Sequence, residues 1–130
     1  MNRFTLSVST FLCVALAFSF ITPSAQAQDP TKVDSTHYTV VFENDQVRAV
    51  RIAYGPREKS VMHYHPDAVA VFLTDSKVKM TLPDGTTSES GGKAGDAVWT
   101  PAGKHLPENL SEKPLELILV ELKGKKDKEK

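Results

Sequence analysis

The stretch Met62-His63-Tyr64-His65-Pro66, running on through Asp67 into the apolar segment Ala68 to Leu73, decides how this chain is read. On an extended strand, residues two apart project to one face, so His63 and His65 would turn both imidazoles toward a common point. That is a chelating arrangement. It exists only if the surrounding chain is β-structure, and the flanking sequence predicts that it is.

Upstream, Tyr38-Thr39-Val40-Val41-Phe42 is rich in β-branched and aromatic residues, Asn44-Asp45 signals a turn, and Val47 to Tyr54 resumes with alternation until Gly55-Pro56, which predicts a hairpin. Downstream, Ala68 to Leu73 is short and continuously apolar, as in a strand buried on both faces. Val78, Met80 and Leu82 alternate with Lys77, Lys79 and Thr81 up to the tight turn Pro83-Asp84-Gly85, with Thr86 to Ser90 as the returning partner. Gly91 to Asp96 reads as a loop, Ala97 to Thr100 as a short strand, Pro101-Ala102-Gly103 as a turn, and Leu115 to Leu122 as a long apolar strand. No helical period persists for three turns. Many short strands with turn signals between them predict an all-β sandwich or barrel.

The ends of the chain read differently. Arg3 precedes the apolar run Phe11 to Ile21, and Ala25-Gln26-Ala27 has the small-x-small form of a signal-peptidase site. Residues 1–27 are therefore expected to be a signal peptide cut after Ala27, giving an exported protein, periplasmic or secreted. An uncleaved anchor is the alternative, but 11 residues fall short of the roughly 20 that span a bilayer. Cleavage would leave 103 of the 130 residues and remove Cys13, the only cysteine, so the barrel would have no disulfide and would rest on burial alone. Leu12 before Cys13 is a poor fit to a lipoprotein site. With Arg3 gone, 15 basic and 16 acidic residues remain, a balance that gives no reason to expect nucleic acid or an anionic membrane as partner. Residues 28–36 are expected to be a polar linker, 37–123 the folded domain, and 124–130 a disordered Lys-rich tail.

The spacing of Gly, Pro and His now carries a family likeness. Gly55 followed by His63-Tyr64-His65, and Gly95 followed by Pro101, Gly103, His105 and Asn109, resemble the two motifs of the cupin superfamily. Seven residues rather than five separate Gly55 from His63, and one rather than two separates Gly103 from His105. The likeness covers roughly Phe42 to Leu122. It implies a cupin-type double-stranded β-helix, that is, a jelly-roll barrel. It also implies a divalent transition metal (Fe, Mn, Ni, Cu or Zn) on His63, His65 and His105, a small-molecule ligand or substrate, and pairing into a homodimer through an edge such as Leu115 to Leu122 or the first hairpin. Where the family places a metal-binding glutamate, this chain has Val69 or Ala70. The set that remains is similar to that of the three-histidine cupins, which include thiol and diketone dioxygenases.

Without that likeness, His-x-His alone would read as surface histidines, and His37, which has no motif partner, still reads as a strand-end surface residue. Imidazole suits Zn, Fe, Ni or Cu, and three nitrogens with open positions describe a catalytic site rather than a closed structural one. Asp67 reads as an exposed turn acid, Glu108 as a loop carboxylate with the alternative of orienting an imidazole, and Asn109 as a residue that ties down backbone. Arg51 and Arg57 read as solvated charges, with anion binding as the alternative; Met62 reads as core, Trp99 as core with pocket lining as the alternative, and Tyr64 as a pocket or packing residue. No paired carboxylate or nucleophile constellation is present, so two functions stand. One is a metal-dependent oxygenase or isomerase, with Tyr64 or Glu108 as candidate acid–base groups; the other is a non-catalytic metal or small-ligand binding module of the cell envelope.

Overall fold

The computed structural model describes residues 28–124, so the expected leader and most of the expected tail lie outside the described residues. Its elements are a helical turn α1 (Pro30–Val33) and nine strands: β1 (Tyr38–Glu43), β2 (Val47–Tyr54), β3 (His63–His65), β4 (Ala68–Phe72), β5 (Ser76–Thr81), β6 (Thr87–Gly92), β7 (Ala97–Thr100), β8 (Gly103–Asn109) and β9 (Leu115–Leu122). They form two antiparallel sheets, five-stranded in the order β1-β2-β9-β4-β7 and four-stranded in the order β3-β8-β5-β6. The all-β expectation holds. Among the described residues no helix is long and apolar enough to cross a membrane.

Parity along the strands explains the core. Val50, Ile52 and Tyr54 of β2, Ala68, Ala70 and Phe72 of β4, and Leu115, Leu117 and Leu119 of β9 are all buried, and each set steps by two residues. β4 departs from the expected strand buried on both faces, because Val69 and Val71 turn outward and stay half-exposed. β6 runs on through Gly92 where the sequence reads as a loop, because Gly91 lets two backbones approach. A Cβ there would stand 2.0 Å from the Ser76 carbonyl oxygen.

β9 lies at the centre of its sheet, between β2 and β4, so Leu115 to Leu122 has no free edge through which two copies could pair. The edges of that sheet are β1 and β7, and β1 is interrupted by a bulge between Val40 and Phe42. Residues 28–36 do not trail as a linker. Asp29 caps α1, Pro30 is buried, and Asp29 and Asp34 both bond into the body of the domain.

Asn109 ties down backbone as the sequence predicts. It is 1% exposed; its amide donates to the carbonyls of Gly55 (2.9 Å) and Lys113 (2.8 Å), and its oxygen accepts from the Ser111 N–H (3.0 Å). Asn109→Ala leaves those groups unpaired beside the core and is expected to cost about 2–3 kcal/mol in chemical denaturation. A loss below about 0.5 kcal/mol would show that water replaces the amide without penalty.

Candidate metal centre

β3 and β8 build the site as an antiparallel pair in which His63 lies opposite His105, and His65 opposite Gly103. Cross-strand partners share a face, so parity carries all three imidazoles inward, while Tyr64 and Lys104 turn to the other side. The ring centroids of His63 are 4.8 Å from His65 and 5.0 Å from His105, and those of His65 and His105 are 5.3 Å apart. One nitrogen from each ring lies within 4.8 Å of the others, a cluster that could hold a metal ion.

The hydrogen bonds behind the rings fix which nitrogens face inward. Nδ1 of His63 donates to the Val61 carbonyl at 2.7 Å, with the Ser60 hydroxyl 3.5 Å away, and Nδ1 of His65 donates to Glu121 at 2.6 Å. With both Nδ1 positions carrying the proton, both Nε2 atoms present lone pairs, and they lie 3.1 Å apart. Two acceptors at that distance repel unless a proton or a cation lies between them. Burial, and then the neighbouring His65, lower the pKa of His63 to about 4 from the ordinary 6.5; burial, followed by His65 and His63, lowers that of His105 to about 3. Those imidazoles are neutral near pH 7, as metal ligands must be, so the donor set fits a divalent transition ion.

Glu121 was missed by the sequence reading. It is 2% exposed on β9, directly across from Arg48 of β2 on one side and Ala68 of β4 on the other. One carboxylate oxygen takes the His65 proton and the other accepts from Nε of Arg48 at 2.5 Å; Arg48 in turn meets Asp29 at 2.5 Å. Burial pushes the carboxyl up, but the bonds from His65 and Arg48 outweigh it and hold its pKa below the ordinary value. A signal for it was present in the sequence: Glu121 continues the buried series Leu115, Leu117, Leu119, so a charge there points into the fold.

A second set of bonds runs behind His63. Asp34 of the arm accepts from the Ser60 hydroxyl and, at 2.8 Å, from Nδ1 of His37. His37 is not a free surface residue, since it also stacks on Tyr54 with centroids 4.6 Å apart and meets Glu58 at 3.0 Å. The Tyr38 ring closes the back of the site, 4.9 Å from His63, and its hydroxyl bonds that of Tyr54.

Other candidates fall away from the centre. Glu108 turns outward on β8 and pairs with Lys79 at 2.6 Å, so it orients no imidazole. Tyr64 faces away from the rings, which removes it as an acid–base group. Asp67 is the exposed turn acid expected, accepting from the Ala102 N–H at 2.7 Å. Met62 is half-buried. Arg51 and Arg57 are exposed and paired with Glu116 and Glu112. Trp99 is not core. Register pairs it with the outward Val69, leaving it 57% exposed, while Val98 faces inward with Ala70. Ala70 is thus the inward one of the two positions where the resemblance expects a glutamate.

A cavity of about 520 Å³ is lined by His65 and His105 and by residues from both sheets, among them Phe72, Met80 and Leu117.

No family model matches the chain, and no curated protein matches it. Solved structures do, cupin domain proteins among them. A cupin domain from Bordetella pertussis Tohama I is 25% identical over 67% of this chain and 92% of its own, with a TM-score of 0.62. An RmlC-like cupin family protein with a double-stranded β-helix fold, from Methanocaldococcus jannaschii, is 20% identical over 65% of this chain and 77% of its own, with a TM-score of 0.53. The polyketide cyclase RemF from Streptomyces resistomycificus is 20% identical over 65% of this chain and 63% of its own, with a TM-score of 0.50. The fold is the cupin-type double-stranded β-helix that the glycine, proline and histidine spacing implied.

Proposed function

We propose that this is an exported small cupin that holds a divalent transition metal on His63, His65 and His105 and acts with it on a small molecule, as an oxygenase or an isomerase. The observation that carries the reading is the pair of Nε2 lone pairs 3.1 Å apart, each with its Nδ1 proton already committed. A cation satisfies both and His105 beside them. When bound, the ion would supply Lewis acidity toward a donor atom of the substrate.

The chain's own residues set up that chemistry. Glu121 and the Val61 carbonyl fix ring orientation and tautomer, and Arg48 balances the Glu121 charge. His63 is wholly buried behind the Tyr38 ring, leaving the approach to the centre on the side of His65 and His105, where the cavity opens. That a neighbour of the same fold is a polyketide cyclase supports small-molecule chemistry in such a cavity.

The test is metal content after purification and Zn(II) titration of the metal-free protein. His63→Ala with His65→Ala is expected to abolish stoichiometric binding, because it removes two of the three donors. Retention of metal by that variant would remove the basis of the reading. One observation favours the non-catalytic alternative: among the described residues no carboxylate lines the cavity, and Glu121 lies behind His65, committed to His65 and Arg48, so no carboxylate base faces the substrate space. Metal retained without turnover or oxygen consumption across thiols, diketones and phenols would select it.

A further inference from the structure

The cavity walls constrain what reaches the three histidines. The inward positions of β4, β5 and β9 that line the space are apolar, among them Ala70, Phe72, Val78, Met80, Leu117 and Leu119. The apolar lining reaches solvent, where Leu82 and Val98 remain 43% and 41% exposed. Polar side-chain groups along the way are neutral, hydroxyls and the indole of the partly exposed Trp99. Ser88 and Ser90 sit opposite Met80 and Val78, and the Tyr38 and Tyr54 hydroxyls bond each other. Among the described residues, Lys104 is the one charged residue on the lining, and its β8 parity, with Tyr64 as partner, directs its exposed side chain away from the interior.

A cavity of about 520 Å³ falls within the ordinary range for a small-molecule site, roughly 300–1,000 Å³. Its polar end is the histidine cluster. A ligand with charge at both ends would bury the second charge against Phe72, Met80 and Leu117 with no partner, which is costly. Three imidazole ligands bring no negative charge of their own to the ion, so one anionic or ionisable donor at that end is matched.

We infer that the cavity takes a molecule with an apolar, ring-sized body and a single ionisable oxygen or sulfur head placed at His63, His65 and His105, and that it rejects small dianions. This rests on the metal reading above for the head but not for the body, and the two halves are separable. Calorimetric titration of metal-free and Zn(II)-loaded protein with 4-propylphenol, with 4-propylanisole, which caps the head, and with oxalate separates them. In the metal-free protein both ring compounds are expected to bind with similar affinity and oxalate not to bind. Zn(II) is expected to tighten 4-propylphenol about tenfold or more while leaving 4-propylanisole unchanged. Val98→Glu, at the partly exposed mouth, is expected to weaken both ring compounds at least about tenfold without altering Zn(II) affinity.

Failure of either ring compound to bind metal-free protein would overturn the inference, as would oxalate competing with 4-propylphenol on equal terms. Bound Zn(II) that leaves the phenol no tighter overturns the placement of the head. If Zn(II) itself does not bind, the metal reading fails in its own titration, and ring binding to the metal-free protein still decides the body.

Discussion

Glu121→Ala is expected to be the most damaging single substitution outside the three histidines, lowering stability by about 3–5 kcal/mol and metal affinity with it. Removing one partner from a buried charged set leaves the other partners uncompensated, and that penalty is larger than the net worth of the intact pair. Here the stranded groups are Arg48, which keeps only Asp29, and Nδ1 of His65, which loses its only acceptor among the described residues. Glu121→Gln separates the two effects. It keeps the shape and one accepting oxygen but drops the charge and turns an amide N–H toward either Arg48 or His65, so it should cost less stability than Glu121→Ala while Zn(II) affinity falls about 10–100-fold, the usual effect of losing a group that orients a ligating histidine. Denaturant unfolding and Zn(II) titration of both variants check this. Wild-type affinity in Glu121→Gln would show that His65 is held in place without the carboxylate charge.

The second large effect is acid sensitivity of the metal-free protein. In the unfolded chain His63 and His105 titrate near 6.5, whereas in the folded chain burial holds them at about 4 and about 3. Below pH 6.5 the unfolded state therefore binds more protons than the folded one, and stability falls as pH falls. The loss begins near 6.5 and continues until the folded-state values are reached. His63 alone is worth on the order of 3 kcal/mol over that window. His37 acts in the opposite sense. Burial lowers its pKa, but Asp34 and Glu58 outweigh that and raise it, so its contribution is present below 6.5 and is lost as pH rises through the folded value. Two histidines lose where one gains, and the net expectation is a marked drop in denaturation midpoint between pH 7 and 4. Zn(II) should oppose it, since an ion that binds only the folded state raises apparent stability. A flat pH profile in metal-free protein would mean that the imidazoles are solvated rather than sequestered.

Legibility in the sequence followed the reach of each signal. The histidines were legible because His63 and His65 are local neighbours of fixed parity and His105 sits in a run of Gly and Pro with its own spacing. Asn109 was legible for the same reason. Trp99 was misread because a four-residue strand gives no parity of its own; pairing Val98 with Ala70 and Trp99 with Val69 settles which side chain goes inward, and that is long-range information. Glu121 was overlooked because an apolar strand containing a charge reads first as a core strand, and only Arg48 across the sheet reveals why the charge is tolerated. The arm at 28–36 looks like a linker because its polar residues have partners only in the folded state, at Arg48 and Ser60. β9 read as an edge because apolarity does not distinguish an edge strand from a central one.

The charged chain Asp29–Arg48–Glu121–His65 has a kinetic meaning as well. Its links span 19, 73 and 56 residues of sequence, so it closes only after β2, β9 and β3 have found one another. Contacts of that separation carry the largest loop-closure cost and form late in folding. A partly folded or truncated chain offers an ion two adjacent histidines on a short strand, without the third ring or the carboxylate behind them. Tight capture of metal thereby becomes a property of the completed molecule, and metal retention can serve as a measure of how much of a preparation has finished folding.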